Sequence, residues 1–393
     1  MRTLHLPEAA TPFERGLFHG ESCRDEIAEI ATIRSELCRS QAMFRTDDEL
    51  LRVAALHLPV LRAFDVDLHE ELRGIAEGAR LPIERLVVLN HYTDLKDLDP
   101  STVLKDGGEA RARPTDKEED CSAIVASTAR GNYLAQTWDM HGSAAPFVTM
   151  LHVPARTTRT AEGSTRAIPE AWLLSITGCL GMAGMNAHGV GLTINNLKSH
   201  DARVGIVWPA LVRRALSERT ASEARDVVTS APLGSGHHYL VADARHAYGI
   251  ETSGTRHEVW AEADLSQPGR GFHHENHCLG THVKEVSSIS PVSTTLERFA
   301  FLERSLSERP IESAADLWSR LGSHEGYPRS VCTHLASAEH PHAMLTCAGL
   351  LLDLGRRVVH AHPGCLHDVR IAGSRDETGT IVAMFGFDEE RST

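Results

Sequence analysis

The sequence predicts an α+β fold, and the prediction rests on a change of periodicity along the chain. From about Glu21 to Leu89 apolar residues recur at helical spacing, whereas after Cys121 they fall into short alternating or continuous runs separated by turn residues. Helical segments in the second part are few and grouped. That pattern suits antiparallel strands layered with segregated helices, not a βαβ repeat.

The elements follow in order. Ile27, Ile30, Ile33 and Leu37 mark one helix; Leu50, Leu51, Ala54, Leu58 and Leu61 mark a second; Leu68, Leu72, Ile75 and Ala76 mark a third. Asp47 or Asp48 is the expected N-cap of the second, because a short acceptor side chain satisfies the free N–H groups of a first turn. Gly78 and Pro82 are expected to break the third, with helix resuming over 83–89. Strands are expected over 121–128, 133–138, 147–153, 171–176, 190–194, 238–241, 246–251 and 258–261. Helices are expected over 208–218, 221–229, 294–306 and 314–321. A hairpin turning at Gly355-Arg356 and a last strand over 381–387 complete the chain.

The bulk properties exclude several functions. The chain has 393 residues and a net charge of −13, with no Lys/Arg cluster, which argues against nucleic acid or an anionic membrane as partner. No apolar run is long enough to span a membrane, and Met1 to Pro12 carries no apolar signal segment. A cytoplasmic protein is therefore expected. The eight cysteines are scattered without a Cys-x-x-Cys pair, so no disulfide scaffold is expected. His237-His238 and His273-His274-Glu275-Asn276-His277-Cys278 suggest a metal only superficially, because they lack the paired spacing of zinc ligands. No metal and no other cofactor is expected.

Chemistry concentrates at Cys121. The preceding stretch, from Lys105 to Asp120, is charged and contains Gly and Pro; the following stretch, Cys121 to Thr128, reads as a buried strand. Cleavage of the Asp120–Cys121 bond would put an α-amine and a thiol on one residue. The thiolate is the reactive species, and a neutral α-amine can take the thiol proton. Residues 130–132 read as a turn. If it centres near Arg130 or Gly131, Asp139 or Met140 comes opposite Cys121, within about 4.5–5.5 Å at Cβ. A carboxylate would then stand beside the thiol. The alternative is a small hydrophobic cysteine and a strand-end carboxylate.

Taken together, several blocks resemble the acyl-coenzyme A:6-aminopenicillanic acid acyltransferase family, peptidase family C45, whose members are N-terminal-nucleophile (Ntn) hydrolases. They are Phe13 to Gly20, Glu71 to Asn90, Gln136-Thr-Trp-Asp139, Gly181 to Asn186 with Gly189-Val-Gly191, His274 to His277, and Tyr327-Pro-Arg-Ser-Val-Cys332. The resemblance implies a four-layer αββα sandwich. It also implies a precursor cut into a helical α chain (1–120) and a β chain (121–393) that remain one folded heterodimer. Cys121 would be the nucleophile, Asp139 the functional aspartate and Asn276 a donor to the oxyanion. Trp138, Met140, Tyr327 and Thr333 are the candidates for substrate contact. Three departures stand out: Asp120 occupies a position where the family commonly has Gly, Met140 one where an aromatic often follows the Trp-Asp pair, and Thr333 one where the penicillin-forming enzyme has Arg.

The implied function is an autoprocessed cysteine amidohydrolase acting on a small N-acyl or N-aminoacyl (β-alanyl-type) amide through a Cys121 thioester. An acyltransferase, with acyl-CoA as a second partner, is the alternative. An uncleaved amide-binding relative and a His/Cys metal-binding protein are the non-catalytic readings.

Overall fold

The computed structural model describes residues 1–41, 43–106, 120–159, 164–371 and 380–387. Most of the charged linker, 107–119, lies outside them.

Two sheets form the centre among the described residues. One is nine-stranded, in the order Arg2–His5, Val148–Val153, Ala171–Ile176, Ala183–Asn186, Gly191–Ser199, Gly236–Ala242, His246–Thr252, His257–Asp264, with Ser287–Ser288 paired beside Gly191–Ser199. The other is six-stranded, in the order Gly271–His274, Cys121–Thr128, Gly131–His141, Met344–Asp353, Val358–Pro363, Ala383–Gly386. Arg2–His5 pairs in parallel with Val148–Val153, so the first segment contributes a strand that the helical reading of 1–120 omitted.

Alternation along the strands builds the layers. Ala123, Val125, Leu134, Leu350 and Leu352 point into a core shared with Leu192 and Ile194 of the nine-stranded sheet. Their neighbours Ile124, Ala135 and Leu351 point the other way, against Leu302, Leu317, Trp318 and Leu321 of helices Thr295–Glu308 and Ala314–Leu321. A period of two with both faces buried requires a layer on each side. Helix Ala221–Ser230 packs on the far side against Gly236–Ala242 and His246–Thr252. The result is the αββα sandwich, and Gln136 clamps its two sheets by bonding both the N–H and the carbonyl of Ile194.

The first segment folds as helices Pro12–Ser22, Arg24–Gln41, Asp47–Phe64, Val66–Ala79, Ile83–Asn90, Tyr92–Asp97 and Pro100–Asp106. Two local expectations are corrected. Thr46, not Asp47 or Asp48, caps the third, its hydroxyl accepting from Glu49 N. Gly78 lies inside Val66–Ala79 and does not break it; the helix ends at Arg80 in the left-handed conformation. Gly78 serves packing instead. A Cβ on Gly16 would sit 1.9 Å from Glu71 O, and one on Gly78 2.4 Å from Leu17 O. Helices Pro12–Ser22 and Val66–Ala79 therefore cross at backbone contact.

Buried polar ties join this segment to the sandwich. Arg213 donates to both carboxylate oxygens of Glu71. Burial alone would raise the Glu71 carboxyl, but Arg213 and Arg15 hold it at about 2. His237 Nε2 lies 2.7 Å from Asp94 Oδ1, and Asn90 bonds Gly178 O and Leu180 N.

Candidate active site

Cys121 opens its strand in the six-stranded sheet and is 6% exposed. The hairpin turn is two residues long, with Thr128 paired to Gly131 and the Thr128 hydroxyl accepting from Arg130 N and Gly131 N. That centres the turn earlier than expected, so Cys121 lies opposite Trp138 and not Asp139 or Met140. A shift of one residue changes the face. Trp138 and Met140 enter the core between the sheets. Asp139 instead accepts from Thr346 Oγ1 at 2.7 Å and from Thr137 Oγ1 at 3.2 Å. The thiol also meets its backbone: Cys121 Sγ lies 3.8 Å from Asp139 O.

The scissile-bond candidate is held from both sides. Asn276 Oδ1 accepts from Cys121 N at 2.6 Å. Cys121 O accepts from Arg298 Nη1 at 2.7 Å and from Asn195 Nδ2 at 3.0 Å. The Asp120 carboxylate accepts from Arg298 Nη2 at 2.8 Å, and from Ser293 Oγ and Thr294 Oγ1 at 3.0 Å each. Arg298 Nη1 also reaches Ser122 Oγ, and Nη2 reaches Asn276 Oδ1.

In the uncleaved chain the partners of Asn276 set its orientation. Its oxygen faces two donors, Cys121 N–H and Arg298, so a flipped amide would set donors against donors. Its Nδ2 donates to Asn196 O at 2.9 Å. In this arrangement Asn276 Oδ1 accepts from the nitrogen of Cys121 itself, and one Nδ2 hydrogen is taken up by Asn196 O. His277 contacts Thr295 Oγ1 and the Phe299 ring; burial, then His274, lower it to about 4. Thr333 is buried and donates its N–H to Thr346 Oγ1, one hydroxyl away from Asp139. Tyr327 is 61% exposed, with its ring beside His324 and His334.

Electrostatics set the resting state. Burial, and next the Asp139 carboxylate, push the Cys121 thiol well above its ordinary value. Burial pushes the Asp139 carboxyl up to about 8, against the pull of Arg298 and the Thr346 hydroxyl. The resting thiol is therefore protonated and needs a base before it can attack.

Arg298 was missed by sequence reasoning, though a signal was present. Thr295, Arg298 and Leu302 lie on the buried face of one helix, so an arginine occupies a position the apolar stripe assigns to the core. A cavity of about 510 Å³ opens at the sheet edge, lined by residues that include Val125, Trp260, Phe272 and Phe299. Cys121 is not in its wall.

Cys121 thus opens a buried strand of an αββα sandwich, with Asp139, Asn276 and Arg298 around it. The chain belongs to the acyl-coenzyme A:6-aminopenicillanic acid acyl-transferase family, whose model matches residues 127–349, more than half of its length. It is 25% identical over 333 residues to the acyl-coenzyme A:6-aminopenicillanic-acid-acyltransferase 40 kDa form of Emericella nidulans, covering 84% of each chain. Among solved structures it is similar to penicillin V acylase from Agrobacterium tumefaciens, at 13% identity and a TM-score of 0.35, covering 62% of this chain and 82% of that one. It is also similar to a mutant form of the conjugated bile acid hydrolase from Clostridium perfringens, at 9% identity and a TM-score of 0.40, covering 68% and 97%. No helix among the described residues is long and apolar enough to cross a membrane.

Proposed function

We propose that the chain cleaves itself at Asp120–Cys121 and then hydrolyses a small N-acyl or N-aminoacyl amide through a thioester on Cys121. The observation that carries this reading is the Cys121 N–H held by Asn276 Oδ1 at 2.6 Å, on a residue that opens a buried strand. In self-cleavage Sγ attacks the Asp120 carbonyl carbon, the bond to Cys121 N breaks, and that nitrogen takes a proton. Water then attacks the thioester, leaving a carboxylate on Asp120, a free thiol and an α-amine on Cys121. In turnover the neutral amine accepts the thiol proton and passes it to the leaving amine. Asn276 Oδ1, already bonded to that nitrogen in the uncleaved chain, would keep the amine oriented. The buried Glu71–Arg213 and Asp94–His237 pairs, with the Arg2–His5 strand, support a heterodimer that stays together after the cut.

Asp120 is also the first acyl group the thiol meets. Its carboxylate rests on a guanidinium and two hydroxyls, so a carboxylate-terminated acyl amide belongs in a substrate panel beside the β-alanyl type. Transfer to an amine is the second reading, favoured by the acyltransferase relative that spans 84% of the chain. Intact mass under denaturing conditions tests the first step: two fragments, one beginning at Cys121, are expected. A persistent full-length mass would leave the amide-binding reading in its place. N-acyl amines assayed with and without acyl-CoA then separate hydrolysis from transfer.

A further inference from the structure

Away from Cys121, four side chains converge that the sequence keeps apart. His324, Cys332 and His334 lie in the irregular segment between helix Ala314–Leu321 and strand Met344–Asp353; Cys365 follows strand Val358–Pro363. Their ligand-type atoms all lie within 4.8 Å of one another. Cys332 Sγ is 3.8 Å from Cys365 Sγ and 3.5 Å from His334 Nε2, and Cys365 Sγ is 3.4 Å from His324 Nε2. A tetrahedral zinc ion with Zn–S of about 2.3 Å and Zn–N of about 2.0–2.1 Å sets its ligands about 3.8 Å apart for S···S and about 3.5 Å for S···N. All three separations match.

We propose that His324, Cys332, His334 and Cys365 bind one zinc ion as a closed Cys2His2 structural site.

The surroundings suit that role. Cys332 Sγ accepts from Leu366 N at 3.4 Å, a backbone N–H that favours a thiolate. The His324 ring is stacked on His367 at 4.0 Å, and His367 Nδ1 lies 2.9 Å from Gly322 O. Both contacts fix ligand orientation from behind, as outer partners do at metal sites. Binding balances without redox change: the cation displaces one proton from each thiol, and two thiolates neutralise its charge. Four protein ligands leave no open position, so the ion does no chemistry itself.

What it does is clip the two loops together. Thr333, next to Cys332, donates its N–H to Thr346 Oγ1, and that hydroxyl donates to Asp139. The metal would anchor the segment that backs Asp139. Thiol-to-imidazole hydrogen bonds explain individual distances equally well, but not the gathering of all four ligand atoms within 4.8 Å of one another. A Cys332–Cys365 disulfide would need the sulfurs to move from 3.8 Å to about 2.05 Å.

The test uses the full-length protein, purified without a histidine tag. Elemental analysis is expected to return about one zinc per chain, and cobalt-exchanged protein to show thiolate charge-transfer and tetrahedral ligand-field bands. Cys365→Ser, at a half-buried ligand, is expected to cut zinc content at least tenfold. Cys278→Ala, which removes a buried thiol outside the cluster, should retain it. If Cys365→Ser does not fold, chelation of the wild-type protein is read instead, with a lower melting temperature restored by zinc expected. Folded protein with no zinc and no cobalt bands, or a mass lighter by two hydrogens that localises to Cys332–Cys365, would overturn the proposal.

Discussion

Cys121 and Cys332 are both buried thiols near Asp139, yet their surroundings prepare them for opposite fates. Around Cys121 every strong partner grips the backbone. Asn276 takes its N–H, Arg298 and Asn195 take its carbonyl, and among the described residues the sulfur's one polar contact is the Asp139 carbonyl at 3.8 Å. Cys332 shows the reverse: its sulfur is the centre of attention, with a second thiol, an imidazole and a backbone N–H all directed at it. A peptide bond is held in place at one site and a sulfur at the other. Residue type and burial are shared, so the difference lies in which atom the neighbours address.

The comparison breaks most sharply at Cys121. Cys121→Ala is expected to abolish cleavage and leave one full-length chain by denaturing mass analysis. Cys347→Ala, at a buried thiol that faces the carbonyls of Met140 and His141, should still yield two fragments. Next comes Arg298, which ties Asp120, Cys121, Ser122 and Asn276 together. Arg298→Met in a Cys121→Ala background leaves the Asp120 carboxylate buried without its cation, a loss of roughly 3–5 kcal/mol. Urea unfolding measures it, and adding Asp120→Asn should recover part, because the two changes share one interaction. A smaller effect is expected for Asp120→Asn alone. The amide can still bond Ser293 and Thr294 but loses the ion pair, so the scissile carbonyl is held less firmly. Fragment appearance followed by mass should slow about tenfold or more; an unchanged rate would show that the Asp120 seat does not position the bond.

The sequence made some of this legible and hid the rest for identifiable reasons. Helices with a full apolar stripe, such as the one through Ile27, Ile30 and Leu37, were readable because burial on one face forces the period. The Cys121 strand was readable from its continuous apolar run. Its register was not: a two-residue turn at Ala129-Arg130 and one centred a residue later leave the same alternation, and only the pairing puts Trp138 opposite Cys121. Arg298 and the hydroxyls of Ser293, Thr294 and Thr346 reach the site from distant segments, so spacing does not connect them. His324, Cys332, His334 and Cys365 escaped for the same reason. Attention to metal chemistry fell on His237, His238 and His274, whose rings are occupied by Asp94, Asn195 and Glu251.

Asp139 sharpens the contrast in a way that pH can read. Its carboxyl is raised from 3.8 to about 8, chiefly by burial, so the folded chain keeps a proton that the unfolded chain releases above about pH 4. A raised folded-state pKa contributes stability that is complete below the unfolded value and is lost as pH rises through the folded one. In the Cys121→Ala protein, where cleavage cannot intervene, stability from this group should therefore fall across pH 4 to 8 and level off above it. Asp139→Asn in the same background has no such proton to lose, so its urea midpoint, compared with that of its parent, should gain steadily over that window. The same titration bears on chemistry. If the ionised carboxylate helps take the thiol proton, wild-type self-cleavage accelerates as pH rises towards 8, whereas a Thr346→Val chain, lacking the 2.7 Å hydroxyl contact that favours ionisation, needs a higher pH to reach the same rate. Coincident profiles for the two chains would remove Asp139 from the proton path and leave it a positional role beside the nucleophile.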